Sequence, residues 1–229
     1  MKIFSSFLLC LFGTITGCPL FAKEPVNLSA CKQEVIRYYD SGQYHQDMND
    51  VIQQAIAYLK QKEHQPLPKG KKPAIVLDID ETALSNYPDM LKRRFGGTDQ
   101  DHATDKDAGT NPVIMPTLTL YDYAKAHHVA VFFITSRHEN ERDITAKNLH
   151  EAGYNNWDGL TLRFGRYNHA SVATYKTAMR QRLNKQGYEI LENIGDQESD
   201  LTGGFADKTF KLPNPFYSIP LQSPLGFVA

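Results

Sequence analysis

Ala74-Ile75-Val76-Leu77-Asp78-Ile79-Asp80-Glu81-Thr82 is the stretch whose reading decides the fold. Four apolar residues, Ala74 to Leu77, suit a strand buried on both faces of a parallel sheet. The strand then runs into two carboxylates one residue apart. In open α/β sheets, ligands bind beyond the carboxyl ends of the strands. Two acidic groups there repel one another unless a cation or a shared proton relieves them. The stretch therefore leads to a divalent metal, a nucleophile, or both.

Upstream, residues 26–62 carry helical periodicity, with Val35, Tyr38 and Tyr39, then Val51, Ile52, Ala55, Ile56 and Leu59. Ser41-Gly42 divides this region into two helices. A basic, proline-rich breaker, residues 66–73, precedes the motif strand. Downstream, residues 86–117 have weak periodicity. They contain Gly96-Gly97, Gly109, Pro112 and Pro116, with Asp99, Asp101, Asp105 and Asp107 between. Long segments of this kind in compact domains are usually functional or mobile. The expectation is a small cap-like insert over the site, with its acids in a solvated loop.

Beyond the insert, helices and strands alternate. A helix over 118–126 precedes a buried strand over 129–134, which ends in Thr135-Ser136-Arg137. A helix over 141–151 is closed by Gly153, and a short strand covers 159–163. A helix over 171–185 leads to a strand over 189–194 that runs into Gly195-Asp196. A weak fifth strand runs from Phe205 towards Leu212. This alternation predicts an α/β fold: a Rossmann-like core with a parallel sheet flanked by helices.

The chain has 229 residues, enough for one well-buried α/β domain. A net charge of −1 supplies no basic field, which argues against a nucleic acid polymer as partner. At the N-terminus, Lys2 precedes the uncharged, mostly apolar residues 3–15. That run is short for a membrane span and fits a secretory signal peptide over 1–22, leaving one domain over 23–229. Two processing sites compete. Leu20-Phe21-Ala22 ends in a small residue, while Ile15-Thr16-Gly17-Cys18 resembles a bacterial lipobox and would make Cys18 a lipid anchor. The lipobox is preferred. The expected location is exported: periplasm, outer membrane, or secreted. Either cleavage leaves no internal disulfide. His102, His127, His128 and His138 form no zinc pattern.

Asp78, Asp80, Thr135, Lys176, Asp196 and Asp200 fall at strand ends or just beyond. In a parallel sheet those ends converge on one edge, so distant residues can share a pocket. Each residue type suits phosphoryl chemistry. A carboxylate can attack phosphorus, and a second can move a proton. A hydroxyl and an ammonium can hold phosphate oxygens. Further carboxylates can hold Mg²⁺. Three of them also have a plainer role: Asp200 as a cap, Lys176 as a surface lysine, Thr135 as a cap of the next helix. Arg137 and Arg142 read as ordinary ion-pair formers.

Asp78-Ile79-Asp80-Glu81-Thr82 resembles the first motif of the haloacid dehalogenase (HAD) superfamily, and Ile134-Thr135 resembles the second. Lys176 fits the third, and Gly195-Asp196-Gln197-Glu198-Ser199-Asp200 the fourth. The stretches 193–201 and 210–215 are similar to the plant acid phosphatase and vegetative storage protein group. The bacterial class C acid phosphatases share the layout.

The resemblance implies an exported, Mg²⁺-dependent acid phosphatase acting on small phosphorylated substrates, nucleoside monophosphates first among them. It implies Asp78 as nucleophile and metal ligand. Asp80 would be the general acid/base and would bind metal through its carbonyl. Thr135 and Lys176 would hold phosphate, Asp196 would be a direct metal ligand, and Asp200 would bind the metal either directly or through an intervening ligand. A homodimer and an acidic optimum follow by the same analogy. Some storage proteins of the plant group lack the nucleophile, but Asp78 is present here. A phosphotransferase on the same site and a non-catalytic surface binding lipoprotein are the alternative readings. Tyr87, Phe95 and Tyr121 are candidates either to stack a nucleobase or to pack the core.

Overall fold

The computed structural model describes residues 24–98 and 109–221. The signal peptide, Cys18, Asp99, Asp101, His102, Asp105 and Asp107 lie outside the described residues. Helices α1 (Leu28–Asp40) and α2 (Gln43–Glu63) come first. Asn27 caps α1 by accepting from the Ser29 and Ala30 amides at 2.9 and 3.2 Å. Gly42, at φ 82°, separates the two helices where only glycine turns without strain.

Five strands follow: β1 (Lys72–Leu77), β2 (Ala130–His138), β3 (Gly159–Arg163), β4 (Tyr188–Gly195) and β5 (Lys208–Lys211). They form one parallel sheet in the order β3-β2-β1-β4-β5. The intervening helices are α3 (Tyr87–Lys92), α4 (Met115–Ala126), α5 (Arg142–Glu151), α6 (Val172–Lys185) and the single turn α7 (Glu198–Leu201).

The apolar pattern of β1 explains its central place. Ile75 and Leu77 pack on one face with Ile52, Ala55 and Leu59 of α2, Leu120 and Tyr121 of α4, and Leu149 of α5. Ala74 and Val76 pack on the other with Tyr175, Met179 and Leu183 of α6. Burying each large side chain of this kind contributes roughly 1.5–3 kcal/mol. Strands β2 and β3 lie to one side of β1, and β4 and β5 to the other. The strand order therefore reverses between β1 and β4, the topological switch point where open α/β sheets bind ligands.

Three elements differ from expectation, each for a local reason. Residues 86–117 are not all irregular: α3 begins with Pro88 in its first turn, and α4 starts at Met115 with Pro116 in its first turn. Proline breaks helix interiors but is preset for the first turn, so these prolines open helices. Strand β2 does not stop at Thr135 but continues to His138, with its register against β3 shifting after Ile134. Thr135 thus lies within the strand.

Candidate active site

The turn after β1 positions both leading carboxylates. The Asp78 amide donates to the Ile194 carbonyl at 3.0 Å, tying the end of β1 to β4. The Ile79 carbonyl then accepts from the amides of Thr82, Ala83 and Leu84. This closes the chain sharply and puts Glu81 at φ 57°, an uncommon conformation for a residue with a Cβ. The Glu81 side chain is anchored. It accepts from the Asn86 amide at 2.6 Å, the Asn86 carboxamide at 3.0 Å and the Tyr217 hydroxyl at 2.5 Å. Burial pushes its carboxyl up to about 7, with the Asp80 charge adding to the effect.

Asp78, Asp196 and Asp200 are all buried, and each offers an oxygen within 4.8 Å of the others. Lys176, carried by α6 and only 3% exposed, donates to Asp78 and to Asp200, the latter at 2.6 Å. It is not a surface lysine. Burial raises the Asp78 carboxyl well above its usual range; Lys176 opposes this, and Asp200, Asp196 and Asp80 add to it. Burial likewise pushes Asp196 up to about 7, reinforced by Asp200 and Glu81. Three carboxylates and one ammonium leave two negative charges when all are ionised. Three buried oxygen donors with that surplus suit a hard divalent cation.

Asp200 does cap a helix, but from within it. Its Oδ2 accepts from the Gln197 amide at 2.9 Å at the start of α7, while its Oδ1 faces Lys176. Capping and the site use different oxygens of one carboxylate. The loop is braced from outside. Arg180 donates to the Asp200 carbonyl at 2.5 Å and to the Gly204 carbonyl at 2.9 Å, and the Asn193 carboxamide donates to the Asp200 carbonyl at 2.9 Å.

Asp80 sits slightly apart, gripped by Arg137 in a two-pronged contact at 2.8 and 3.1 Å. Asn86 adds a third bond at 2.9 Å. Arg137 is fully buried and is steadied by Thr145 at 3.2 Å. It is therefore more than an ordinary ion-pair former. Thr135 is fully buried two residues earlier on β2, and its hydroxyl accepts from the Arg137 amide at 3.2 Å rather than capping the next helix.

Of the aromatic candidates, Tyr121 packs in the core against Phe133 and Tyr154. Tyr87 is buried and stacks on Tyr39 with ring centres 3.5 Å apart. Phe95 stacks on Phe216 at 6.2 Å. All three are engaged in packing.

The residues that sequence reasoning passed over are Arg137, Glu81, Asn86, Asn214 and Tyr217. Arg137 had a signal, since it follows Thr135 at strand spacing and so shares its side of the sheet. Asn214 and Tyr217 reach the site from the C-terminal tail, where no periodicity points inward.

Two acidic strand tips with a buried lysine between them thus meet at the switch point. The model of HAD superfamily subfamily IIIB, the acid phosphatases, matches residues 22–220. The chain belongs to that family. Among its relatives, acid phosphatase 1 of Solanum lycopersicum is 35% identical over 211 residues, covering 87% of this chain and 81% of that protein. The stem 28 kDa glycoprotein of Glycine max is 36% identical over 197 residues, covering 82% and 75%. The class C acid phosphatase of Bacillus anthracis, solved with tungstate bound, superposes with a TM-score of 0.68 at 21% identity, over 82% of this chain and 86% of that one. That likeness shows the shared fold. This HAD acid phosphatase is thus a phosphoric monoester hydrolase, and its substrates are small phosphorylated molecules.

Proposed function

We propose that this acid phosphatase is an exported, Mg²⁺-dependent phosphomonoesterase that works through an aspartyl-phosphate on Asp78. The observation that carries the reading is the placement of Asp78. It is a buried carboxylate at the switch point of the sheet, beside an ammonium and within 4.8 Å of two more carboxylates. Asp78, Asp196 and Asp200 would hold the cation, with the Asp80 carbonyl as a further ligand. When bound, Mg²⁺ neutralises charge on the transferring phosphoryl group.

The chain's own residues do the rest. Lys176 and Thr135 hold the non-bridging oxygens of the substrate. An Asp78 oxygen attacks phosphorus, and the ester P–O bond breaks as Asp80 gives its proton to the leaving alcohol. Water then attacks the phosphorus and passes its proton to Asp80. The bond from phosphorus to Asp78 breaks, and inorganic phosphate leaves. Arg137 and Asn86 keep the Asp80 carboxyl from swinging out of line. Nucleoside monophosphates are the substrate class of choice. Export, through the signal over 1–22 and with or without an anchor at Cys18, agrees with the kinship to stem glycoproteins.

The test is phosphate release from p-nitrophenyl phosphate with Mg²⁺ and with EDTA, beside Asp78→Asn. Activity that needs both the metal and Asp78 supports the reading. Equal turnover by a well-folded Asp78→Asn variant would sink it.

A further inference from the structure

The tail beyond β5 is tied to the site at several points. Asn214 donates through Nδ2 to Asp196 Oδ2 at 2.7 Å. Gln197 donates to the same oxygen at 2.6 Å, and its own carbonyl oxygen accepts from the Ile219 amide at 2.9 Å. Tyr217 donates to Glu81, the residue after Asp80. One short segment therefore touches both sides of the switch point: the fourth-motif aspartate and the turn after β1.

Asn214 is itself locked. Its Oδ1 accepts from the Phe216 amide at 2.8 Å and from the Tyr217 amide at 3.3 Å, which turns the chain back and leaves Nδ2 aimed at Asp196. The two amide donors on Oδ2 fix the rotation of the Asp196 carboxylate, while Oδ1 receives one longer bond from Thr82 at 3.3 Å. Partners of this sort orient a ligating carboxylate and set how well it binds metal.

We infer that Asn214 is a positioning residue for the cation site, holding Asp196 in its ligating orientation from the C-terminal tail. This rests on the proposed Mg²⁺ reading. It separates two jobs in one side chain. The acceptor Oδ1 makes the turn, and the donor Nδ2 holds the carboxylate. Asn214→Asp keeps the acceptor and removes the donor, setting a carboxylate oxygen against Asp196. Asn214→Ala removes both. A cavity of about 290 Å³ lined by Asp196, Asn214 and Tyr217 leaves room for water beside the truncated side chain.

The experiment is calorimetric titration of the purified chain with Mg²⁺ alone, for wild type, Asn214→Asp and Asn214→Ala, with far-UV circular dichroism as the fold check. Both variants should bind Mg²⁺ about 10- to 100-fold more weakly than wild type. The Mg²⁺ concentration for half-maximal activity should rise by the same factor, with KM for substrate at saturating Mg²⁺ within about threefold of wild type. If Asn214→Ala fails to fold, Asn214→Ser, whose hydroxyl keeps a turn acceptor without adding charge, decides. Wild-type affinity in a folded Asn214→Ala, or in Asn214→Ser where Asn214→Ala does not fold, would show that Asn214 only makes the turn and would overturn the inference alone. A wild type that binds no cation would overturn the metal reading and this one together.

Discussion

Glu192 offers a test that is independent of catalysis. It lies in the middle of β4, opposite Ile75 of β1 and Lys208 of β5. It is fully buried, and neither carboxylate oxygen has a hydrogen-bond partner among the described residues. Lys208 lies next to it in register, but its ammonium sits 4.9 Å from the ring centres of Tyr58 and Phe210. Burial pushes the Glu192 carboxyl from 4.5 up to about 8, with the Lys208 charge opposing it.

The sign follows from the raised value. Between pH 4.5 and about 8 the folded chain keeps this proton and the unfolded chain gives it up. The stability Glu192 contributes is therefore fully present below pH 4.5 and is lost as pH rises through 8. Each pH unit in the window is worth about 1.4 kcal/mol, or about 4 kcal/mol between pH 5 and pH 8. Against a total of about 5–15 kcal/mol, that is a large fraction. Glu192→Gln cannot ionise. Its unfolding free energy should match wild type within about 1 kcal/mol at pH 5 and exceed it by roughly 4 kcal/mol at pH 8. For a chain of this length the pH 8 difference corresponds to about 8–16 °C in Tm. Urea titrations at the two pH values provide the measurement. A wild type and a Glu192→Gln variant with the same pH slope would refute the reasoning, because the carboxyl would then be either hydrated or ionised in the fold.

Other predictions concern the site. Arg137→Lys replaces a two-pronged grip on Asp80 with a single ammonium, so kcat should fall about 10- to 100-fold with little change in KM; steady-state kinetics at saturating Mg²⁺ checks this. Gly195→Ala would place a Cβ 2.5 Å from the Cβ of Asp200 and 2.6 Å from its Oδ2. It should weaken Mg²⁺ binding and cost about 1–3 kcal/mol of stability, read by calorimetry and urea melts. Mg²⁺ at about 100 times its Kd should stabilise the EDTA-treated chain by about 2.7 kcal/mol, or roughly 5–11 °C in Tm. No shift would count against cation binding by the three carboxylates.

What the sequence made legible was set by local periodicity. The apolar run before Asp78, the β-strand and helix alternation, and the helical spacing that buries Ile52, Ala55, Ile56 and Leu59 are all nearest-neighbour patterns. The structure brings Asp78, Lys176, Asp196 and Asp200 together because three of these residues sit at the ends of β1 and β4, or one helical turn beyond. The missed features depend on sheet order. Arg137 meets Asp80 only because β2 lies beside β1. Asn214 and Tyr217 meet Asp196 and Glu81 only because the tail folds back over the switch point. Glu192 escaped notice because a single acid within a strand pattern reads as an outward-facing position. In the sheet β4 lies between β1 and β5 with every residue from 190 to 195 buried, so Glu192 has no outward face to occupy.

The charge balance of the site constrains the order of events on the proposed reading. Lys176 faces Asp78 and Asp200 at once, so its single positive charge is already committed to two carboxylates. A phosphomonoester brings further negative charge to an edge that carries a surplus of its own. Lys176 cannot offset both, and buried like charges a few ångströms apart cannot all remain ionised unaided. The groups either bind protons, which removes the nucleophilic form of Asp78, or gain a divalent cation, which preserves it. Only the second state can both hold the substrate and attack it. On that reading cation binding is a condition for productive substrate binding, and the contacts of Asn214 and Gln197 to Asp196 would act on catalysis before the substrate arrives.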